Sequence, residues 1–221
     1  PEATLVHLAE CRDIQRYAES PQIAEVQKAI LQKLLRKPYA RVIYASSLTA
    51  GRDFGLASVP PYVVYKRAAE SMVLEQRGIA LRFTNLYGPG GMAENTVLME
   101  LLAQLRSEAA TPLTVINSAA YIDLLHVEDA AQAIVQAILA SQKELNVIAR
   151  FDIASQRPIT VRQLAEKMAE IAGQTGRAIQ SKTDRPNSPV QTDGANAKKW
   201  LGWSPTISLE EGLHTLLDGA S

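Results

Sequence analysis

Between Thr4 and Thr84 the chain alternates strand-length apolar runs with segments of helical period, an order that few folds satisfy. Thr4–Leu8 reads as a strand. Pro21–Leu35 reads as a helix, with apolar residues at Ile23, Val26, Ile30, Leu31, Leu34 and Leu35. Arg41–Ala45 is the next strand, Tyr62 to about Arg77 the next helix, and Gly78 its C-terminal stop. Ile79–Thr84 is a third strand, apolar enough to be buried on both faces. This β-α-β-α-β order predicts an α/β fold: a parallel sheet with right-handed crossovers and helices on both faces.

Beyond Gly88 the pattern changes to that of a small mixed lobe. Asn95–Arg106 is helical, Leu113–Ile116 and Tyr121–Leu125 are short strands, and Val127–Leu139 is an alanine-rich helix. Phe151–Ala154 is a short strand. Thr160-Val-Arg-Gln163 is a capping box that opens a helix to Ala172, closed by Gly173, and Ser208-Leu-Glu-Glu211 opens the last helix in the same way. The polar, proline-containing stretch Ser181–Ala195 reads as a surface loop. The division expected is residues 1–88 as the C-terminal part of a dinucleotide-binding sheet. Residues 89–221 are mainly a substrate lobe, with some segments returning to the sheet.

Charge removes several function classes. Lys+Arg and Asp+Glu both number 23, with no long run of either sign, so no electrostatic footprint for nucleic acid or an anionic membrane is present. A single cysteine, Cys11, excludes an internal disulfide framework and any multi-cysteine metal site. His7, His126 and His214 are too dispersed for a metal cluster, so no metal is expected, and His126 between apolar residues reads as structural. No apolar stretch approaches the ~18 residues of a membrane span, and the N-terminus lacks a signal layout. A cytoplasmic protein that neither binds nucleic acid nor enters a membrane is the default.

The chemistry lies in Tyr62-Val-Val-Tyr-Lys66, which follows a strand ending in Ser46-Ser47. Tyr62 and Lys66 stand one turn apart on the same helical face. An ammonium near a phenol favours the phenolate, so a tyrosine pKa of about 10 can fall toward working pH and serve acid–base catalysis. A serine at the end of the neighbouring strand could hold a substrate oxygen beside that phenol. A Y-x-x-x-K match is common by itself, and its context gives it meaning.

That context resembles the extended short-chain dehydrogenase/reductase family, NAD(P)-dependent enzymes that epimerise, dehydrate or reduce nucleotide sugars and related compounds. Val6-His7-Leu8-Ala9-Glu10 is similar to the family's HLAA strand end, Tyr44-Ala45-Ser46-Ser47 to its serine-bearing strand, and Tyr62…Lys66 to its catalytic pair. Leu81-Arg82-Phe83-Thr84-Asn85-Leu86-Tyr87-Gly88-Pro89-Gly90 resembles its "LRxxNvYGPG" segment, and Asp123-Leu-Leu-His126-Val-Glu-Asp129 its "D-F-x-H-V-x-D" entry to a helix. Leu201-Gly202-Trp203-Ser204-Pro205, with Ser208-Leu-Glu-Glu-Gly212-Leu213, resembles its C-terminal motif.

The resemblance implies roles. Tyr62 would be the acid/base, Lys66 would lower its pKa and hold a nicotinamide ribose, and Ser47 would orient the substrate oxygen. Leu8, Ala9 and Phe83 would complete the contacts to NAD or NADP, while Asn85 and Arg185 would contact the substrate, a nucleotide sugar. A homodimer is among the assemblies it allows. The acting serine falls on Ser47 by strand register or on Ser46 by register from Gly51, with Ser47 preferred. Trp200 and Trp203 would pack the C-terminal lobe.

Departures from the family matter as much. The opening strand, G-x-x-G-x-x-G turn and helix that place a pyrophosphate at a helix N-terminus are not in this sequence. Either it is a fragment or the molecule has lost half of that fold; Gly88-Pro89-Gly90-Gly91 lacks the helix-entry spacing to replace it. Gln27 stands where the family has an asparagine, and Ile122 where many sugar epimerases have an arginine. Glu10 replaces a small residue near the cofactor edge, either as an exposed carboxylate or as the mark of an altered groove. Two further readings stay open: a cofactor-free member acting as a binding or assembly subunit, and a reductase of a non-sugar carbonyl.

Overall fold

The computed structural model describes residues 3–218 apart from 12, 56, 91–95, 108–110, 142–148, 186 and 188–191, with only the backbone of Asp218. In chain order the elements begin with β1 (Thr4–His7), α1 (Ile14–Glu19), α2 (Gln22–Leu35), β2 (Arg41–Ser47), α3 (Leu48–Gly51), α4 (Pro61–Glu75) and β3 (Ile79–Phe83). There follow β4 (Asn85–Tyr87), α5 (Val97–Arg106), β5 (Leu113–Asn117), β6 (Tyr121–Ile122), β7 (Leu124–His126) and α6 (Val127–Leu139). Then come β8 (Arg150–Ile153), β9 (Ile159–Thr160), α7 (Val161–Ile171), β10 (Ile179–Thr183), a short helix at Gly194–Asn196 running into a π-helical turn at Ala197–Leu201, and α8 (Leu209–Asp218). Pro1–Thr84, Ala131–Ile153 and Asp193–Ser204 form one compact unit; Asn85–Ala130, Ala154–Thr192 and Pro205–Ser221 form the other.

The first unit is the parallel sheet that the alternation predicts, in the order β1-β2-β3-β8. Side-chain alternation divides β2 between two layers. Val42 and Tyr44 pack with Tyr17 of α1, Leu31 of α2, and Tyr65, Ala69 and Val73 of α4. Leu31, Val42 and Val73 each contribute about 1.5–3 kcal/mol on burial. Arg41 shares the other face with the fully buried Ile43, and its guanidinium donates at 2.6 Å to the carbonyls of Ala137, Ile138 and Ala140 at the end of α6. The sheet is therefore covered by helices on both faces.

The stop after α4 works differently from the expectation. Arg77, not Gly78, takes the left-handed conformation at φ 56°. Gly78 is needed for space, because a Cβ there would meet Val73 Cγ1 at 2.6 Å and the Val42 carbonyl oxygen at 2.9 Å. Trp203 also departs from expectation: it lies buried in the first unit, and Trp200 belongs to that unit too.

In the second unit, α5, α7 and α8 enclose a core that includes Leu98, Leu101, Leu113, Leu164, Met168 and Leu213. Asn95, the expected start of α5, lies outside the described residues, and Thr96 caps the helix. Both capping boxes form: Thr160 with Gln163, and Ser208 with Glu211. The expected strand Tyr121–Leu125 breaks at Asp123, whose carboxylate accepts the Ser155 N–H at 2.9 Å. Its first half pairs antiparallel with β9 and its second half parallel with β4. Asp129 takes the backbone N–H groups of Thr206 and Ile207, each at 3.0 Å, and so ties the two family-like motifs together. The expected loop from Ser181 begins instead inside β10, which pairs parallel with β5. A polar run can hold a strand there because the ladder satisfies its backbone while its side chains face water.

Candidate active site

The parallel register brings the carboxyl ends of β1, β2 and β3 to one edge of the first unit, Ser47 opposite Phe83 and His7 opposite Tyr44. Pro61 at the start of α4 suits a first helical turn, where its missing N–H costs nothing. The helix then lays Tyr62, Lys66 and Glu70, spaced four apart, along one face against β2.

Each meets a different part of the strand. Glu70 is 1% exposed and accepts from Ser46 Oγ at 2.6 Å, from Arg82 Nε and a terminal Arg82 nitrogen at 2.8 Å each, and from Arg150 Nε at 2.9 Å. Lys66 donates to the Ala45 carbonyl at 2.8 Å and to Glu10 at 2.5 Å. The Tyr62 phenol is near enough to Ser47 for the serine hydroxyl to oppose the rise of its pKa. Ser47 also caps α3, accepting the Thr49 N–H at 3.3 Å, with the Thr49 hydroxyl 2.9 Å away.

The electrostatics correct the sequence argument. Burial pushes the Tyr62 phenol up, the Ser47 hydroxyl opposes that, and the Glu10 charge adds to the rise. The Lys66 ammonium lies 5.7 Å from the centre of the Tyr62 ring but is engaged by Glu10. Lys66 therefore does not bring the phenol below its ordinary value in this arrangement. Burial also pushes the Lys66 ammonium down, partly offset by the charge and hydrogen bond of Glu10.

Glu10 is not the exposed carboxylate that one reading allowed. Its side chain is 6% exposed, and it accepts from the Tyr44 hydroxyl at 3.0 Å and from the Tyr65 hydroxyl. His7 Nε2 stands 3.4 Å away without the alignment of a hydrogen bond. Burial raises the Glu10 carboxyl, but His7, Lys66 and Tyr65 more than compensate and hold it below the ordinary value. Tyr44 and Tyr65 are the site residues that motif reading missed. Their only signal was position, one residue before Ala45 and one before Lys66.

The remaining expected residues are distributed as follows. Leu8 is 56% exposed and Ala9 is exposed just beyond β1, while Phe83 is buried at the end of β3. Gln27 lies on α2 with its side-chain oxygen buried and unpartnered. Asn85 and Arg185 belong to the second unit. The Asn85 amide donates to the Asp123 carbonyl at 3.1 Å. Arg185 is exposed, its backbone held on both sides by Asn117 at 2.7 and 3.1 Å. Ile122 packs against the apolar core of that unit. His126 is buried edge-on to Tyr87 at 5.4 Å, with its Nε2 buried and without a hydrogen-bond partner. Among the described residues, no group of three or more side chains could hold a metal ion, and no helix is long and apolar enough to cross a membrane.

The donor set at the sheet edge suits the ribose end of a nicotinamide nucleotide. Lys66 keeps one N–H after serving Glu10 and Ala45, and the Tyr62 hydroxyl stands one turn away.

Comparison with known proteins gives consistent results. The chain is 28% identical over 142 residues to GDP-L-fucose synthase 1 of Arabidopsis thaliana, covering 61% of this chain and 43% of that protein. It is 30% identical over 161 residues to UDP-glucuronic acid decarboxylase 3 of the same plant, covering 67% and 44% respectively. The chain thus spans less than half the length of these curated relatives. Its fold is shared with RMD from Pseudomonas aeruginosa, solved in complex with NADPH, at a TM-score of 0.80 and 23% identity over 97% of this chain and 80% of that one. It is also shared with UDP-glucuronic acid 4-epimerase from Bacillus cereus, solved with UDP-glucuronic acid and NAD, at a TM-score of 0.78 and 21% identity over 98% and 74%. The model of one family matches residues 3–149, two-thirds of the chain, and with the motifs and the sheet order it places this chain in the NAD dependent epimerase/dehydratase family.

Proposed function

We propose that this chain supplies the proton-transfer and substrate-holding parts of an NAD(P)-dependent enzyme that epimerises, dehydrates or reduces a nucleotide sugar. The observation that carries this reading is the placing of Ser47 at the carboxyl end of β2 with Tyr62 and Lys66 one turn apart on the face of α4 laid against that strand, the Ser47 hydroxyl acting on the Tyr62 phenol. When bound, a nicotinamide nucleotide, NAD or NADP, supplies the acceptance and donation of hydride. The chain's own residues do the rest. Tyr62 gives or takes the carbinol proton at its phenol oxygen, and Ser47 Oγ orients the substrate oxygen. Lys66 holds the ribose hydroxyls, while Leu8, Ala9 and Phe83 flank the nucleotide. Asn85 and Arg185 contact the sugar nucleotide. The names of the curated relatives, a GDP-sugar synthase and a UDP-sugar decarboxylase, support this substrate class.

Two observations favour other readings. The Lys66–Glu10 ion pair favours a family member that binds without turnover, because it engages the ammonium charge that would otherwise lower the Tyr62 pKa. The apolar setting of Ile122 favours a carbonyl substrate without a diphosphate. A panel of UDP- and GDP-sugars with NAD or NADP, assayed in the complete natural polypeptide, decides among them. Turnover of at least one sugar nucleotide, lost in Tyr62→Phe, is the expected result. A folded protein that turns over none of them overturns the reading.

A further inference from the structure

The residue that most alters this site is Glu10, on the turn after β1. Around its carboxylate stand His7 from β1, Tyr44 from β2, and Tyr65 and Lys66 from α4, with Tyr17 of α1, Cys11 and Tyr62 in the same packed cluster. Lys66 and Glu10 are both nearly buried, at 7% and 6% side-chain exposure. A buried carboxylate is tolerated when donors replace the water it has lost, and three donors do so here. Lys66, one of the three, is fixed by its acceptors, the Glu10 carboxylate and the Ala45 carbonyl. An ammonium neutralised at 2.5 Å presents the field of an ion pair, not of a cation, to a ring centred 5.7 Å away.

Building on the reading of Tyr62 as the proton-transfer group, we propose that Glu10 is a positioning residue that takes Lys66 as its own ion-pair partner and so withholds the ammonium from Tyr62. The site is thereby set as a proton donor. With Lys66 engaged, Tyr62 stays a neutral phenol at neutral pH, ready to give its proton to a substrate carbonyl oxygen. The upward push on the phenol from burial and from Glu10 agrees with this. The groups facing the pair that also titrate or carry charge are His7, Tyr44, Tyr65, Tyr17 and, from one turn along α4, Glu70.

The test is a pH titration of the tyrosine ring carbons by NMR on the chain as it stands, with the Tyr62 signal assigned by Tyr62→Phe. In the unmodified chain Tyr62 should not ionise below about pH 10. In Glu10→Gln its pKa should fall by about one pH unit or more as the freed ammonium acts on it. Adding Lys66→Met to Glu10→Gln should abolish that fall. A Tyr62 signal that titrates identically with and without Glu10, or a fall that survives loss of Lys66, overturns the proposal. Should Glu10→Gln fail to fold, the unmodified chain decides: the Lys66 ammonium nitrogen should show through-hydrogen-bond coupling to the Glu10 carboxyl carbon. A freely rotating ammonium without that coupling overturns the proposal. None of these readouts uses turnover, so failure of the sugar-nucleotide panel and failure of this proposal are separate results.

Discussion

Ser46 and Ser47 are neighbours in β2 and are bound by different partners. Ser46 Oγ donates to Glu70 at 2.6 Å inside a buried ionic cluster, whereas Ser47 turns out at the sheet edge, caps α3 and meets the Tyr62 phenol. The two registers that the sequence left open therefore differ in what they offer a substrate: one hydroxyl is enclosed by structure and the other sits beside the phenol. Ser47→Ala should lower kcat of the complete protein roughly ten-fold, the size of one lost hydrogen bond of about 1–1.5 kcal/mol, with little change in stability. Ser46→Ala should leave kcat alone and destabilise by about 1–3 kcal/mol, because Glu70 loses a buried donor. Urea unfolding and steady-state kinetics on both variants check this, and the reverse pattern would return the acting role to Ser46.

Tyr62 and Tyr65 should separate in the same way. The sequence placed Tyr65 elsewhere around the helix, yet it is buried and its hydroxyl serves Glu10. Tyr62→Phe should reduce turnover by roughly 10²–10⁴-fold with little loss of stability. Tyr65→Phe should keep most of the turnover and cost stability instead, since the Glu10 carboxylate loses a donor. Equal kinetic effects would show that the proton-transfer role is not confined to Tyr62.

Stability should depend on pH through Glu70. Burial raises this carboxyl, but the hydrogen bonds from Arg82 and Ser46, the Arg82 charge and the Arg150 hydrogen bond more than offset burial and hold it below its ordinary value of 4.5. A carboxyl depressed in the folded state contributes stability above its unfolded pKa and loses it as pH falls through the folded one. Urea midpoints should therefore be level above about pH 5 and fall below about pH 4.5. Glu70→Gln should flatten part of that slope and, near neutrality, destabilise by on the order of 3 kcal/mol by removing the buried carboxylate that Arg82 and Arg150 share. An unchanged acid slope in the variant would refute this account.

Dinucleotide binding to this chain by itself should be very weak. Among the described residues no strand leads through a glycine turn into a helix as a pyrophosphate cradle requires. Gly88 and Gly90 have positive φ, but they follow the short strand β4 that is paired with β7. Calorimetry with NAD(H) and NADP(H) checks the point, and a micromolar dissociation constant, worth about −8 kcal/mol, would contradict it.

Arg185 tests the substrate class. Asn117 holds its backbone on both sides and leaves the side chain exposed. If it binds a phosphate, Arg185→Ala should raise KM by the ten-fold or more expected from a charge-assisted hydrogen bond of about 1.5–3 kcal/mol, with kcat little changed. Unchanged kinetics would favour the non-sugar carbonyl reading.

The elements that could be read from residues alone are those governed by neighbours in sequence. Helix period laid Tyr62 and Lys66 on one face, the Thr160 and Ser208 boxes closed within three residues, and uninterrupted apolar runs required a parallel sheet between helices. The partners of the polar groups were not legible in this way. Lys66 meets Glu10 across 56 residues of chain, Tyr44 meets the same carboxylate across 34, and β10 pairs with β5 although the polar run from Ser181 onward suggests a loop. Local periodicity settles which way a side chain points. Only the packing of the end of β1 against α4 settles which acceptor it finds, and a single carboxylate there changes the charge that Tyr62 experiences.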